Sequence, residues 1–331
     1  MDLEDDPAPE REGEVNLAIV TGSHADVGYL QPIERVFRDE SWCEATLLEA
    51  PCRDWKGHTP ADISSIFAIV QQWAVHALPG YDAVLVCGDR FEILAVTTAC
   101  TLLRIPLIHL FGGDETRGSA DNTFRWQITA ASDLVLCGDH EADDRVEFGF
   151  RELDVMVRTV GSTSLDEIKP LLGTEAEPMG LVLVMCRPAT ATGEDVSQAV
   201  FDALLDVPAT VRWFGSAPDV GANHEDTERL PREEFIRLLA RASAVVGNSS
   251  CGVLEAPYLG IPSVNVGDRQ EGRHAAPSVV TVPNDAETIR AAVLAALEAG
   301  RYPSSKHYGD GGSAARCVSA IREWKEDKWQ T

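Results

Sequence analysis

Residues 244–259 read AVVGNSSCGVLEAPYL. The apolar run Ala244–Gly247 predicts a short buried strand, and a Gly- and Ser-rich turn leads from it into a helix predicted over Cys251–Leu259. A continuously apolar strand that runs into a helix is typical of a parallel sheet with helices on both faces. This segment therefore indicates one βα unit of an α/β protein.

The same unit recurs along the chain. Strands are predicted in the first half at Leu17–Val20, Ala83–Cys87, Pro106–Leu110, Leu134–Cys137 and Val155–Val160. In the second half they are predicted at Leu181–Cys186, Val211–Phe214, Ala244–Gly247, Ser263–Val266 and Val279–Val282. Further helices are predicted from about Leu30, up to about Leu103, from about Asn122, and over Asp195–Leu205, Arg232–Ala242, Ala286–Ala299 and Ala314–Lys325. This alternation predicts two doubly wound, Rossmann-like domains, with a ligand in the crevice between them at the carboxyl ends of the strands.

The length of 331 residues also favours two domains. Residues 165–178 contain two prolines and many polar side chains and are the best linker. We therefore place the first domain at 15–165 and the second at 166–313. Seven of residues 2–14 are acidic and only Arg11 is basic, which predicts a disordered acidic tail over 1–14.

The net charge limits the partners of the chain. Lys and Arg total 28 against 53 Asp and Glu, giving a formal charge of −25. Such a surface repels nucleic acid and anionic lipid, so we expect neither as a partner. No apolar run approaches the roughly 20 residues that span a bilayer. The acidic N-terminal segment lacks a secretion signal, so a cytoplasmic location is expected.

The cysteines and the first Gly-rich turn predict neither a metal nor a bound cofactor. The eight cysteines are scattered without the spacing of a metal site, which favours reduced thiols in a cytoplasmic protein. The turn Thr21–Gly28 is not GxGxxG, and no acidic residue is placed after it to bind a dinucleotide ribose. This turn still offers Ser23, His24 and Asp26 as candidate ligand-binding residues.

The turn after Ala244–Gly247 is suited to binding an anion. It offers free backbone N–H groups and the positive end of a helix dipole. Ser249 and Ser250 add hydroxyl donors beside Asn248, and a carboxylate at Glu255, one turn later, could accept both hydroxyls of a ribose. The alternative is an ordinary strand–helix turn with a serine cap. Cys251 is then a small filler rather than a reactive thiol.

The next strand ends in a second candidate loop, Gly267–Arg273. Arg269 and Arg273 in this Gly-flanked loop could reach a phosphate held beside the serine turn. A solvated loop is the alternative, but two neighbouring strands that both end in anion-binding residues make it the weaker interpretation.

Acidic residues follow two strands of the first half. The segments Gly88–Glu92 and Gly113–Arg125 place the side chains of Asp89, Asp114, Asp121 and Arg125 at the same crevice. A carboxylate in a crevice could act as a general base. Asp89 and Asp121 could equally be helix caps, so the prediction of a catalytic group rests on the joint placement of all four residues.

At these residues the chain resembles the UDP-N-acetylglucosamine 2-epimerase family, and its hydrolysing branch most of all. The resemblance rests on Gly88–Glu92, Gly112–Arg125, Gly247–Glu255, Val264–Arg273 and Tyr302–Gly311, and it covers almost the whole chain after the acidic tail. It implies the GT-B arrangement of two Rossmann-like domains, with the last helix, 314–331, packing back on the first domain. It also implies UDP bound mainly by the second domain and a possible homodimer.

The resemblance also implies roles for individual residues. Ser249, Ser250 and Arg273 match diphosphate-side positions, Glu255 matches the ribose-binding carboxylate, and the sugar-side positions are Asp26, Asp89, Asp121 and Arg125. The implied reaction removes the C2 proton of the sugar, expels UDP and adds water to the resulting glycal.

The departures from the family pattern fall on the sugar side. Where the family has Arg-Ala-Asp-Tyr, this chain has His24–Val27, and where the family has an acidic or His residue before the Gly pair, this chain has Phe111. The Glu that follows the Gly pair is replaced by Asp114, and the second Asp of an Asp-Asp pair by Asn122. The His after the Arg is replaced by Trp126, and the His-Pro turn by Arg187-Pro188. A segment that family members carry before Asp54 is also missing. Arg187 could stabilise a leaving diphosphate or could be a surface strand end. His109, in an apolar strand, is expected to be packed rather than catalytic.

Three interpretations remain. The first is a hydrolysing 2-epimerase with Asp89 and Asp121 as the acid and base. The second is a UDP-sugar-dependent glycosyltransferase with a nucleobase, amine or alcohol acceptor, which the loss of a carboxylate at Asn122 and of the His-Pro turn favours. The third is a catalytically silent UDP-sugar-binding protein, against which Asp89, Asp121 and Arg125 argue.

Overall fold

The computed structural model describes residues 15–22, 24–50, 67–116, 119–172, 180–187, 189, 192–214 and 230–328. The predicted tail at 1–14 and Ser23 lie outside these residues, and His24 is described by its backbone alone. Within the described residues, none of the helices is both long and apolar enough to span a bilayer.

The first sheet has six parallel strands in the order β2-β1-β3-β4-β5-β6. Its strands are β1 Val15–Thr21, β2 Cys43–Glu49, β3 Ala83–Cys87, β4 Leu107–Leu110, β5 Leu134–Cys137 and β6 Met156–Thr159. Its helices are α1 His24–Phe37, α2 Phe91–Leu103, α3 Asn122–Ala130 and α4 His140–Phe150, with a π-helical turn at Trp73–Ala77. Short 3-10 turns at Thr163–Leu165 and Lys169–Leu171 follow β6 in the predicted linker region.

The second sheet has five parallel strands in the order β11-β10-β9-β7-β8. Its strands are β7 Leu181–Met185, β8 Thr210–Trp213, β9 Ala244–Gly247, β10 Ser263–Val266 and β11 Val279–Val282. Its helices are α5 Ser197–Leu204, α6 Arg232–Ala240, α7 Glu255–Tyr258 and α8 Ala286–Ala299. Two parallel sheets with alternating helices confirm the predicted pair of Rossmann-like domains.

The last helix, α9 Ser313–Lys328, leaves the second domain and packs into the first. It buries Cys317, Ile321 and Trp324 in the same core as the side chains of β1 and α1. Asp166 fixes its start, because the carboxylate accepts hydrogen bonds from the N–H groups of Ser313 and Ala314 at 3.0 and 2.8 Å. The domain limits at 165 and 313 stay predictions, but the core of the first domain includes this late helix.

Several elements differ from the sequence prediction, and helix α4 and the π-helical turn at Trp73–Ala77 were not predicted at all. Strand β2 was not predicted; it is a sheet edge in which only Cys43 is fully buried, so it lacks a continuous apolar run. Helix α1 begins at His24 and not near Leu30. Asp26 lies in its first turn, where a carboxylate interacts favourably with the positive end of the helix dipole. The predicted helix Cys251–Leu259 is a 3-10 turn, Ser250–Gly252, followed by the single helical turn α7.

Candidate active site

The turn after β9 is shaped by backbone requirements. Gly247 has φ +130°, and a Cβ there would lie 2.2 Å from the carbonyl oxygen of Met185, so only glycine fits. Asn248 is 1% exposed, and its side chain spans the backbone of Arg187: Nδ2 donates to the carbonyl and Oδ1 accepts from the N–H, both at 2.7 Å. The Asn248 side chain therefore fixes the end of β7, and Arg187 itself is exposed at this position.

Arg269 lies against the same turn. Its Nη1 donates to the Asn248 carbonyl at 2.8 Å, and Gln270 Nε2 donates to the same oxygen at 2.8 Å. Of the residues that the structure describes, none supplies Arg269 with a carboxylate partner. Burial lowers the pKa of this guanidinium, and the positive charges of Arg273 and Arg187 lower it further. Arg269 thus leaves positive charge for an anion to neutralise.

Arg273 connects the two domains. Its Nη2 lies 3.3 Å from Oδ2 of Asp114, and its Nη1 donates to Gln270 Oε1 at 2.8 Å. Both members of the ion pair are largely buried, with 16% and 14% of the side chain exposed. The arginine loop of the second domain therefore faces the carboxylates of the first.

The serine turn after β9 is capped by one of its own side chains. Ser249 is the N-cap of the 3-10 turn, and its hydroxyl accepts from the Cys251 N–H at 3.4 Å. Burial raises the pKa of the Cys251 thiol well above its usual value, and the Glu255 charge raises it further. The thiol is neutral and packed, as expected for a filler.

Glu255 is 5% exposed and already carries a partner. Arg232, the first residue of α6, places Nη2 2.5 Å from Glu255 Oε1. The same guanidinium donates to Glu167 Oε2 and to the Ser164 carbonyl, at 3.3 and 3.2 Å. Arg232 was not predicted as a site residue, because no recognisable motif precedes α6 in the sequence. A ribose at Glu255 would share the carboxylate with this arginine.

In the first domain Arg125 organises the acidic loops. It is 5% exposed, pairs with the Asp89 carboxylate, and donates through Nη1 to the Asp114 carbonyl at 2.6 Å. The same Nη1 donates to Asn122 Oδ1 at 3.1 Å, while Asn122 Nδ2 donates to the Thr116 carbonyl at 2.6 Å. The Asn122 side chain therefore stabilises the 114–116 loop through hydrogen bonds, a role that the sequence analysis did not identify.

Asp121 is a carboxyl of this group with a raised pKa. It occupies the N-cap position of α3, but its side chain makes no capping hydrogen bond. Burial, followed by the Asp89 charge, raises its pKa from 3.8 to about 6. A carboxyl with that pKa can both release and accept a proton near neutral pH.

His109 and Phe111 are structural. His109 is fully buried, with Nε2 2.8 Å from the Gly88 carbonyl and Nδ1 3.0 Å from Thr129 Oγ1. Burial lowers its pKa to about 4, so the ring stays neutral, in agreement with a packed role. Phe111 adopts φ +65° and packs edge-on against Tyr29 of α1, with ring centroids 5.0 Å apart. An apolar contact thus occupies a position where the family carries an acid or a histidine.

The remaining predicted residues lie around this group. Asp26 sits in the first turn of α1, and its charge, with those of Asp89 and Asp114, adds to the burial that raises the pKa of Cys87. Tyr29, which sequence reasoning missed, is near the charges of Glu255 and Arg273 and the hydroxyl of Ser250. The structure therefore brings the acidic loops of the first domain and the arginine and serine loops of the second to one interdomain cleft.

Two parallel Rossmann-like domains that share such a cleft define a GT-B protein. A family model described as UDP-N-acetylglucosamine 2-epimerase matches residues 10–322. The chain belongs to that family.

Individual relatives are similar at modest identity. The polysialic acid biosynthesis protein P7 of Escherichia coli is 29% identical over 63% of this chain and 60% of its own length, so the chain spans less than two thirds of that protein. The hydrolysing UDP-N,N'-diacetylbacillosamine 2-epimerase of Legionella pneumophila is 26% identical over 93% of this chain and 88% of its own length. The crystal structure of UDP-GlcNAc 2-epimerase from Neisseria meningitidis, bound to UDP-GlcNAc, superposes with a TM-score of 0.73 at 13% identity, over 94% of this chain and 100% of that one. This last likeness confirms the GT-B fold.

Proposed function

We propose that the chain is a UDP-sugar-processing enzyme that acts as a hydrolysing 2-epimerase: it removes the C2 proton, expels UDP and hydrates the glycal. Asp121 is the base that takes the C2 proton, and Asp89, held by Arg125, is its charged neighbour. The observation that carries the proposal is the pKa of Asp121, raised to about 6 by burial and by Asp89. Such a carboxyl is ionised at neutral pH but still basic enough to accept a proton.

The second domain supplies the nucleotide site in this proposal. The Ser249 and Ser250 hydroxyls and the arginines of the 267–273 loop bind the diphosphate, and Glu255 accepts the ribose hydroxyls. Arg269 supports this assignment, because it is mostly buried and no described carboxylate neutralises it. Arg187 lies close enough to Arg269 to lower its pKa, so it can stabilise the charge of departing UDP.

The relatives support a nucleotide-sugar substrate. Relatives whose names state an activity are 2-epimerases, two of them named as hydrolysing, and the Neisseria meningitidis structure contains UDP-GlcNAc. We therefore propose a UDP-linked 2-acetamido sugar as substrate, processed without a bound cofactor.

One pair of observations favours a second candidate, a UDP-sugar-dependent glycosyltransferase. Phe111 fills a proton-handling position with an aromatic contact, and the Asn122 amide braces a loop. Substitution at C1 needs no C2 deprotonation, so a site with fewer acids and bases would still suffice. The acceptor would be an amine, an alcohol or a nucleobase.

Turnover in deuterated water separates the candidates. The full chain is incubated with several UDP-sugars, and UDP release is followed together with the C2 proton signal. UDP release with deuterium at C2 supports the epimerase. Release only after an acceptor is added, with the C2 proton retained, replaces it with the transferase.

A third outcome is UDP binding without turnover of any sugar, and it contradicts both enzymatic proposals. Calorimetry with UDP alone provides that measurement. Asp144→Asn is the matched control for substitutions of the site carboxylates, because Asp144 is an exposed carboxylate of α4.

A further inference from the structure

A second group of ionisable side chains lies where three parts of the chain meet. His274 directly follows Arg273 in the second domain, His307 lies in the segment before α9, and Glu141 is in the first turn of α4 in the first domain. One ligand atom from each of these three residues lies within 4.8 Å of the other two. The proposed reaction uses none of them.

One distance in this group, between His307 and Glu141, matches that between two ligands of a tetrahedral metal ion. His307 Nε2 lies 3.3 Å from Glu141 Oε2 and 3.6 Å from Asp139 Oδ2. Two donors bound to zinc at 2.0–2.1 Å, at the tetrahedral angle, lie about 3.3 to 3.4 Å apart. Among the described residues His307 Nε2 has no hydrogen-bond partner, although the atom is buried.

The backbone around the two histidines is fixed. The Tyr308 hydroxyl donates to the His274 carbonyl at 3.2 Å, and the Ser162 N–H donates to the Tyr308 carbonyl at 2.6 Å. The imidazoles of His274 and His307 stack at 3.6 Å with planes 8° apart. The parallel planes cannot both contain one ion, so binding requires a side-chain rotation, which the exposed His274 is free to make.

Asp139 lies beside this group as a neighbour of His307. It is 6% exposed, and its Oδ1 caps α4 by accepting from the Ala142 N–H at 2.7 Å, which leaves Oδ2 directed at His307. The two imidazoles and the Glu141 carboxylate favour zinc and its neighbours in the first transition row over magnesium or calcium, which prefer oxygen ligands alone.

We infer that His274, His307 and Glu141 form a site for one zinc-class divalent ion that joins the two domains. Because His274 follows Arg273, the bound ion holds the arginine loop against the first domain. Glu141 is separated from the two histidines by more than a hundred residues of sequence and the histidines from each other by 33, so no short spacing motif could indicate the group. The expectation of no metal rested on spacing alone. The inference is independent of the reaction proposed above.

Metal binding by the full chain is the direct test. The protein is dialysed against a chelator and titrated with Zn²⁺ by calorimetry in the presence of a competing chelator. One equivalent is expected, with an affinity reduced at least about tenfold in His274→Ala and in His307→Ala, a loss that even outer partners of a metal ligand produce. His76→Ala, an exposed histidine of the π-helical turn, is the matched control and should bind as the unmodified chain does.

Two outcomes overturn the inference: Zn²⁺ binding that is no tighter in the unmodified chain than in the double histidine variant, or an equal loss in His76→Ala. Should a histidine variant fail to fold, Glu141→Gln on the exposed face of α4 is measured in its place. X-ray absorption of the zinc-loaded chain gives a further readout. A shell of nitrogen and oxygen with imidazole scattering supports the site, and a sulfur shell overturns it by moving the ion to the cysteines.

Discussion

The two faces of the cleft are built in different ways. On the second domain, the proposed binding face, Asn248 and its turn are held by hydrogen bonds to the backbone, and Arg269 has no carboxylate partner among the described residues. On the first domain, the carboxylates of Asp89 and Asp114 pair with arginines, and the pKa of Asp121 is shifted by burial and by its neighbour. A binding face can thus be built from one local turn, whereas acid–base chemistry depends on contacts between distant loops.

The largest effect is expected from the acidic face. Asp121→Asn keeps the shape of the side chain but removes the base, so kcat should fall by about 10²- to 10⁴-fold. UDP affinity should stay unchanged, because the nucleotide lies on the other face. UDP release under saturating UDP-sugar and calorimetry with UDP measure the two effects. Full turnover in Asp121→Asn would remove this residue from the chemistry, and Asp144→Asn controls for loss of charge alone.

The opposite pattern is expected from the cationic face. Arg269→Ala removes a charge-assisted contact with the diphosphate worth about 1.5–3 kcal/mol, so UDP affinity should fall by about 10- to 150-fold. Arg269→Lys keeps the charge and should recover part of the loss. Unchanged affinity in Arg269→Ala would show that this arginine faces away from the diphosphate. Arg290→Ala, on α8 outside the cleft, is the matched control.

The coupling of Asp121 to Asp89 can be measured through pH. Because the pKa of Asp121 is raised above its unfolded value, the proton stays bound until the pH passes about 6, and turnover that needs the ionised base rises through that pH. Below it, rates should fall by about tenfold per pH unit.

Asp89→Asn removes the neighbouring negative charge, so the acidic limb of the profile should move to lower pH even if the maximal rate falls. A limb that stays in place would show that Asp89 does not contribute to the shift and that burial causes it without that charge. The same raised pKa favours the folded state most below pH about 4, and this contribution to stability is lost as the pH rises through about 6.

The smallest effect is expected within the serine turn. Ser249→Ala removes a neutral hydroxyl, so UDP affinity should fall by about 2- to 12-fold, the equivalent of about 0.5–1.5 kcal/mol. Glu255→Ala should weaken UDP binding more, and it also removes the 2.5 Å ion pair with Arg232, which keeps only its longer contacts with Glu167 and the Ser164 carbonyl. Thermal unfolding measured alongside separates that loss of stability from the loss of binding. Unchanged UDP affinity in both variants would place the nucleotide elsewhere.

The sequence predicted the buried strands well and the ion pairs poorly. Strands β3, β5 and β9 have the predicted bounds, because each is a continuous apolar run that ends in a turn. Strands β10 and β11 also have the predicted bounds, although polar residues interrupt their apolar runs. The pairs Arg125–Asp89, Arg273–Asp114 and Arg232–Glu255 join residues that only the fold brings together, so no local pattern indicates them. The same limit applies to Asn122, whose role as a brace depends on a loop carbonyl.

Helix α9 has a consequence for the order in which the chain folds. Its Cys317, Ile321 and Trp324 side chains belong to the core that surrounds β1, although the whole second domain lies between them in sequence. During synthesis from the N-terminus, the first domain therefore cannot complete its core until α9 has left the ribosome. Until then the second domain can close around its own sheet, while the surface that receives Trp324 stays open to water or to a chaperone.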